Sequence, residues 1–161
     1  MNKPCVFVAI LLSVVALFTQ QAPVFAADTV TLSKGQTIYV PAYSHIYMGS
    51  REREILLAVT LSLRNTDAKH AITLTSVDYF GTKGERIKKY LERPVVLKPF
   101  ESTRYIVPQK DKSGGSGANF IVAWDSKLAV NPPLFESVMI GVDGPQSVSF
   151  TSRGQEISNE E

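Results

Sequence analysis

Apolar and polar residues alternate along most of this chain, and a period of two predicts strands rather than helices. Ile38 and Val40 alternate with Thr37 and Tyr39 up to Pro41. The cleanest run is Ile55 to Arg64. There Leu57, Val59, Leu61 and Leu63 share one face, with Ala58, Thr60, Ser62 and Arg64 on the other. Asn65-Thr66-Asp67 stops it with side chains that compete for backbone hydrogen bonds in turns. From Ile72 to Phe80 the phase changes. Ile72 and Leu74 share one parity and Val77 and Tyr79 the other, which predicts a bulge near Thr75 or burial on both faces. Thr103, Tyr105 and Val107 alternate with Arg104 and Ile106 before Pro108. Phe120, Val122 and Trp124 make one face of a strand whose other face, Ile121 and Ala123, is also apolar, as expected of a central strand. Val138 with Ile140, and Val148 with Phe150, make closing strands around a turn at Asp143-Gly144-Pro145.

The intervals carry turn chemistry. Gly81-Thr82-Lys83-Gly84 reads as a hairpin turn, with glycines where φ must be positive. Arg86 to Leu91 fits either a strand or a helical turn, and its shortness before Pro94 favours the strand. Val95 to Leu97 is a short strand leading into a turn at Pro99. Ala42 to Gly49 reads as an irregular aromatic connector, and Arg51 to Glu54 as a solvated loop or a single helical turn. Asn131-Pro132-Pro133 is a rigid extended link. Seven or eight short strands with frequent turns and no helix predict a single all-β domain over residues 27–152. The expected form is an immunoglobulin-like antiparallel β-sandwich without a disulfide, followed by a flexible polar tail over residues 153–161.

The first 26 residues stand apart from this pattern. Lys3 precedes an apolar run from Val6 to Phe18, and Ala22 to Ala27 supplies small residues suited to cleavage after Ala26 or Ala27. That is the layout of a secretory signal peptide. It implies a periplasmic or secreted protein with no transmembrane segment once the leader is removed. Cys5 is the only cysteine and lies inside the leader, so the remaining chain forms no disulfide and rests on burial alone. Seventeen basic residues face fifteen acidic ones. So even a balance gives no overall field to draw the protein to nucleic acid.

Candidate chemistry is sparse. The loop Ser113, Gly114, Gly115, Ser116, Gly117, Ala118, Asn119 has the composition of an anion cradle, but a strand follows it where a phosphate loop needs a helix, and no Gly-Lys-Ser/Thr ending appears. Its remaining functional role is that of a mobile rim around a binding surface, joined by the amphipathic rings of Tyr43 and Tyr47. Tyr39, Tyr79, Tyr90, Tyr105 and Trp124 are divided between core packing and recognition. Lys83, Arg86, Lys88, Lys89 and Arg93 make the central hairpin basic, a surface that an anionic partner would suit. His45, Met48 and His70, with Met139 elsewhere, are the soft ligands of a Cu(I) site, whereas a blue-copper centre is excluded for want of a thiolate. A Ser–His–Asp set with His45 or His70 and Asp125 has no nucleophile-elbow motif behind it.

Three stretches carry a family resemblance: Gly35-Gln36-Thr37-Ile38-Tyr39-Val40-Pro41, Leu63-Arg64-Asn65-Thr66-Asp67, and Gly117-Ala118-Asn119-Phe120-Ile121-Val122-Ala123-Trp124. In these the chain resembles the DUF3124 family of secreted bacterial proteins. The resemblance implies an exported bacterial domain of unknown function and brings no catalytic residues with it. The expectation is an exported, non-catalytic binding or structural module that needs no cofactor and whose partner is an envelope protein or a glycan. Copper handling through His45, Met48 and His70 is the first alternative, and a hydrolase without a readable motif the second.

Overall fold

The computed structural model describes residues 30–157, and every helix or strand assigned in that span is a strand. The predicted leader and the last residues of the tail lie outside the described residues. The chain opens with β1 (Ser33–Pro41), β2 (His45–Met48), β3 (Arg53–Leu56) and β4 (Ala58–Arg64). Next come β5 (Ile72–Phe80), β6 (Arg86–Lys89), β7 (Val95–Leu97) and β8 (Ser102–Val107). It closes with β9 (Asn119–Val130), β10 (Leu134–Asp143), β11 (Gln146–Arg153) and β12 (Gln155–Ile157). One sheet has the order β12-β1-β9-β5-β6 with β7 also on β5, a second has the order β11-β10-β4-β8, and β2 and β3 form a small hairpin.

The fold is an all-β antiparallel sandwich, as the alternation predicts. The inward residues of both sheets make one core: Ile38 and Val40 from β1, Val59, Leu61 and Leu63 from β4, Phe120, Val122 and Trp124 from β9, and Phe135 and Met139 from β10. Each such side chain, fully buried, contributes about 1.5–3 kcal/mol from removal of apolar surface from water. Pairing β4 with β8 in one sheet and β5 with β9 in the other reproduces the interlocked centre of an immunoglobulin sandwich. The flanks differ from the antibody pattern. Here β1 joins the β5–β9 sheet and β10 lies beside β4.

The phase change in β5 is a bulge: its register against β9 shifts between Leu74 and Ser76, at Thr75. The extra residue lets Ile72, Leu74, Val77 and Tyr79 all point inward. Segment 86–89 is a strand, antiparallel to β5. Three expectations need correction. The aromatic connector and the charged run from Arg51 to Glu54 combine into the β2–β3 hairpin, because His45 to Met48 finds a partner in Arg53 to Leu56. The run from Ile55 to Arg64 breaks at Leu57, where the backbone N–H donates to the Ser44 carbonyl instead of continuing a ladder. The tail does not fray at Arg153. Gly154 turns the chain from one sheet to the other, and Gln155 to Ile157 pairs with Thr37 to Tyr39. A side chain at Gly154 would press on Ile38 and Val40, so the corner requires glycine.

Candidate functional site

The sandwich has two ends of different character. One gathers the loops around Ser44, Gly81–Glu85, Pro108–Ala118 and Gly144. The other gathers residues 65–71, Lys98–Glu101 and Asn131–Pro133.

At the first end the glycine-rich loop is a clasp. Gly114 is buried, and its carbonyl accepts from the Thr82 N–H at 3.0 Å and the Thr82 hydroxyl at 3.0 Å. The Gly117 N–H donates to the same Thr82 hydroxyl oxygen at 3.0 Å. The Gly115 carbonyl accepts from Ser44 N–H at 2.9 Å, and the Ala118 carbonyl from Ala42 N–H at 2.8 Å. Ser113 is held by Asp111 through both its N–H and its hydroxyl. Asn119 opens β9 opposite Pro41 and Phe80. Ser116 is half-buried within the loop. The loop thus ties the β5–β6 turn to the β1–β2 link, and so many internal bonds oppose its expected role as a mobile rim. Two of its N–H groups, on Gly115 and Gly117, are spent on Lys112 and Thr82, which counts against an anion cradle.

The aromatic residues divide in the same way. Tyr79 is buried, stacks on Phe120 at 4.9 Å, and shares a 2.9 Å hydrogen bond between its hydroxyl and that of Ser44. Tyr90 bridges Tyr105 and Phe120, with Lys88 Nζ 4.3 Å above its ring, and closes the gap between the β6 and β8 edges. Burial pushes the Tyr90 hydroxyl up to about 12 and raises those of Tyr79 and Tyr105. Trp124 is core, with its indole N–H unpartnered among the described residues. Tyr43 rests edge-on against Phe150, while Tyr47 is exposed and stands over His45, its hydroxyl 3.2 Å from Nε2.

The potential metal ligands do not gather into one place. His45 and Met48 are three positions apart on one strand, so their side chains leave on opposite faces. Met48 is exposed, its sulfur 4.0 Å from Arg53 Nη2, whereas His45 is buried. His70 precedes the far end of β5 and therefore lies on the order of 25 Å from His45. Met139 is sealed in the core. Of a Ser–His–Asp set, only part is assembled. Asp67 orients His70 at 3.1 Å, and Ser126 and Asp125 line the same hollow as His70. Ser126, however, donates its hydroxyl to the Ala71 carbonyl at 3.1 Å, so no nucleophile–base contact forms.

The second end is built on Asn65 and Asp67. The buried Asn65 amide donates to the carbonyls of His70, Leu97 and Lys98 at 2.9, 3.1 and 3.0 Å, and its oxygen accepts from Asp67 N–H. Asp67 Oδ1 accepts from the backbone N–H groups of Lys69 and His70, and Oδ2 from Asn131 N–H. The Lys69 and Asn131 amides hold its carboxyl well below the usual range, at about 2. One Asn-Thr-Asp turn therefore fastens three loops together, and it explains the Leu63–Asp67 stretch as architecture.

On this rigid base stands Phe100. Lys98 to Glu101 is a tight turn closed by Glu101 N–H on the Lys98 carbonyl, with Pro99 leading. Phe100 occupies the position that wants glycine: its φ is +59° and its side chain is 71% exposed. A bulky residue in the left-handed region is an outlier whose cost is of order 1–3 kcal/mol. Val96 and Leu128, 59% and 55% exposed, flank the same end. The ammonium groups of Lys69, Lys98 and Lys127 are exposed and have no acidic partner among the described residues. A hollow of about 480 Å³ lies between His70, Val96, Lys127 and Leu128, and one of about 280 Å³ between Arg64, Thr66 and Phe100. The sequence contained a weak pointer to Phe100. A turn led by proline favours glycine or asparagine after it, and here it has phenylalanine.

A family model described as a protein of unknown function, DUF3124, matches residues 35–157. No curated protein matches the chain. Among solved structures, the crystal structure of Thermotoga maritima 1070 aligns with a TM-score of 0.46 at 11% identity, covering 77% of this chain and 96% of that one.

Proposed function

The chain belongs to the DUF3124 family, and we propose that it works as an exported, non-catalytic binding module whose recognition end is the one carrying Phe100. The observation that carries this reading is the cost accepted there: an exposed aromatic held at φ +59° on a turn where glycine would be relaxed. Strain of this kind persists where the surrounding structure enforces it and clusters at sites that contact ligands. Aromatic anchors ringed by near-neutral contacts dominate binding energy. The free cations Lys69, Lys98 and Lys127 would steer an acidic envelope protein or glycan toward that anchor. Export rests on the leader pattern of residues 1–26 and is tested by the mass of the processed protein, which should begin at Ala27 or Asp28.

Recognition is tested with a photo-crosslinking phenylalanine analogue placed at position 100, and in a second strain at position 47, in the full chain. The expected result is a discrete adduct from position 100 and none from Tyr47. Adducts only from position 47, or none from either, would overturn the assignment of the recognition end.

A further inference from the structure

The open edges of the two sheets are not equally protected. An edge strand presents unpaired N–H and C=O groups, and proteins guard such edges with charge, proline, shortness or cover. In this molecule β6 carries Arg86, Lys88 and Lys89. β7 is three residues long and bounded by Pro94 and Pro99, and β12 is three residues long and carries Glu156. β8 has Arg104 at its middle, and its Ile106 carbonyl accepts from the Tyr90 hydroxyl at 3.2 Å. The remaining edge, β11, has none of these devices along its length before the last residue. It runs for eight residues, its one charge is Arg153 at the very end, and the seven residues before it, Gln146 to Ser152, contain neither a charge nor a proline.

The pairing of β11 with β10 fixes which groups are free. Gly144 and Pro145 form a two-residue hairpin turn, with Gly144 at φ +60°, so Asp143 and Gln146 close it as a hydrogen-bonded pair. Counting onward by twos, Gln146, Val148, Phe150 and Ser152 spend their backbone groups on β10. Ser147, Ser149 and Thr151 turn theirs outward. No other strand pairs with that side of β11 among the described residues. The side chains of Ser147, Ser149 and Thr151 lie on the outer face with Val138, Ile140 and Val142, so a neighbouring strand meets only small uncharged side chains between Ser147 and Thr151, with Arg153 beyond them.

An antiparallel strand edge is complementary to itself under a two-fold axis. Self-pairing of β6 or β8 would set arginine or lysine against its copy, whereas β11 would set serine against serine. We propose that β11 is the pairing edge of a symmetric dimer. Two copies join β11 to β11 about Ser149, turning two four-stranded sheets into one continuous sheet. The occupant is a second copy of this chain, and the proposal is independent of what the Phe100 end recognises.

Sedimentation of the full processed chain across a concentration series tests it. The expected result is a reversible shift from one to two chain masses. Ser149→Lys places like charges opposite one another at the two-fold axis while its side chain remains in solvent, and should weaken association at least tenfold. Ser149→Pro removes an N–H that β10 does not use and should abolish association. If the proline variant fails to fold, the lysine variant decides the matter. Its Trp124 fluorescence and melting curve would show whether the fold is retained. A monomer up to the solubility limit, or a dimer unchanged in the folded lysine variant, would overturn the proposal.

Discussion

Gly114→Ala tests the reading of the glycine loop as a clasp. A methyl group built there overlaps the Tyr79 hydroxyl and lies 2.7 Å from Tyr79 Cζ and 2.7 Å from Ala118 Cβ. Gly114 does not sit at positive φ, so alanine fits the backbone and the cost is steric. Tyr79 has no room to retreat, since its ring is stacked on Phe120 and its hydroxyl is bonded to Ser44. Overpacking a core costs about 1–3 kcal/mol. Separating the Tyr79 and Ser44 hydroxyls adds about 1 kcal/mol. The sum, about 2–4 kcal/mol, is a loss of ~1–2 M in the urea midpoint for a slope of about 2 kcal/mol/M. The assay is equilibrium urea unfolding followed through Trp124, the chain's one tryptophan. Tyr79→Phe removes the overlapping oxygen but leaves the ring carbon, so it should relieve part of the damage. A double-mutant cycle should then show coupling of about 1 kcal/mol. A Gly114→Ala protein within about 0.5 kcal/mol of the parent would refute the clasp and restore the loop as a free rim.

Phe100→Gly should raise stability by about 1 kcal/mol in the same urea assay, because glycine relaxes at positive φ; a loss would show that Phe100 is an architectural residue. Asn65→Ala leaves the carbonyls of His70, Leu97 and Lys98 short of a donor and should cost roughly 3 kcal/mol. Asn65→Asp should be no milder, since an oxygen then faces those three carbonyls. Asp67 makes stability depend on acid. Its folded pKa, about 2, lies below the ordinary 3.8. Its contribution is therefore whole above the unfolded value and is lost as the pH falls through about 2. Urea midpoints between pH 4 and pH 2 should fall less steeply for Asp67→Asn than for the parent, and equal slopes would refute this role.

Alternation made the main strands legible in the sequence, and even the bulge at Thr75 was written in the parity switch of β5. The β2–β3 hairpin was not legible. His45 to Met48 is a four-residue strand with one buried end, too short to show a period, and its partner Arg53-Glu54 is charged because that part of the hairpin faces water. β12 was hidden for a similar reason: Gln155-Glu156-Ile157 has little pattern, and its place comes from the corner at Gly154. For function, the sequence drew attention to the glycine-rich end and away from the end carrying Phe100. Glycines suggest freedom, but here they mark close approach, as Gly114 does against Tyr79. Phe100 has only the weak pointer of Pro99 before it until its φ and its exposure are known. Neither a residue's dihedral angle nor its distance from a residue far away in sequence is encoded in local pattern.

The bulge in β5 also marks a change of partner. Before it, Ile72 to Leu74 pairs with β7; after it, Asp78 to Phe80 pairs with β6. The outer border of the larger sheet is thus two short flaps, each paired to a different part of one strand. Amide exchange should report them as separate units, with Val95–Leu97 and Arg86–Lys89 exposed at different rates while β9 stays protected to the level of global unfolding. Val96 sits on the first flap, and the strand leads directly to Phe100. Excursions of that flap would have to break the Asn65 bonds to the Leu97 and Lys98 carbonyls, so Asn65 sets how far the proposed recognition end can move.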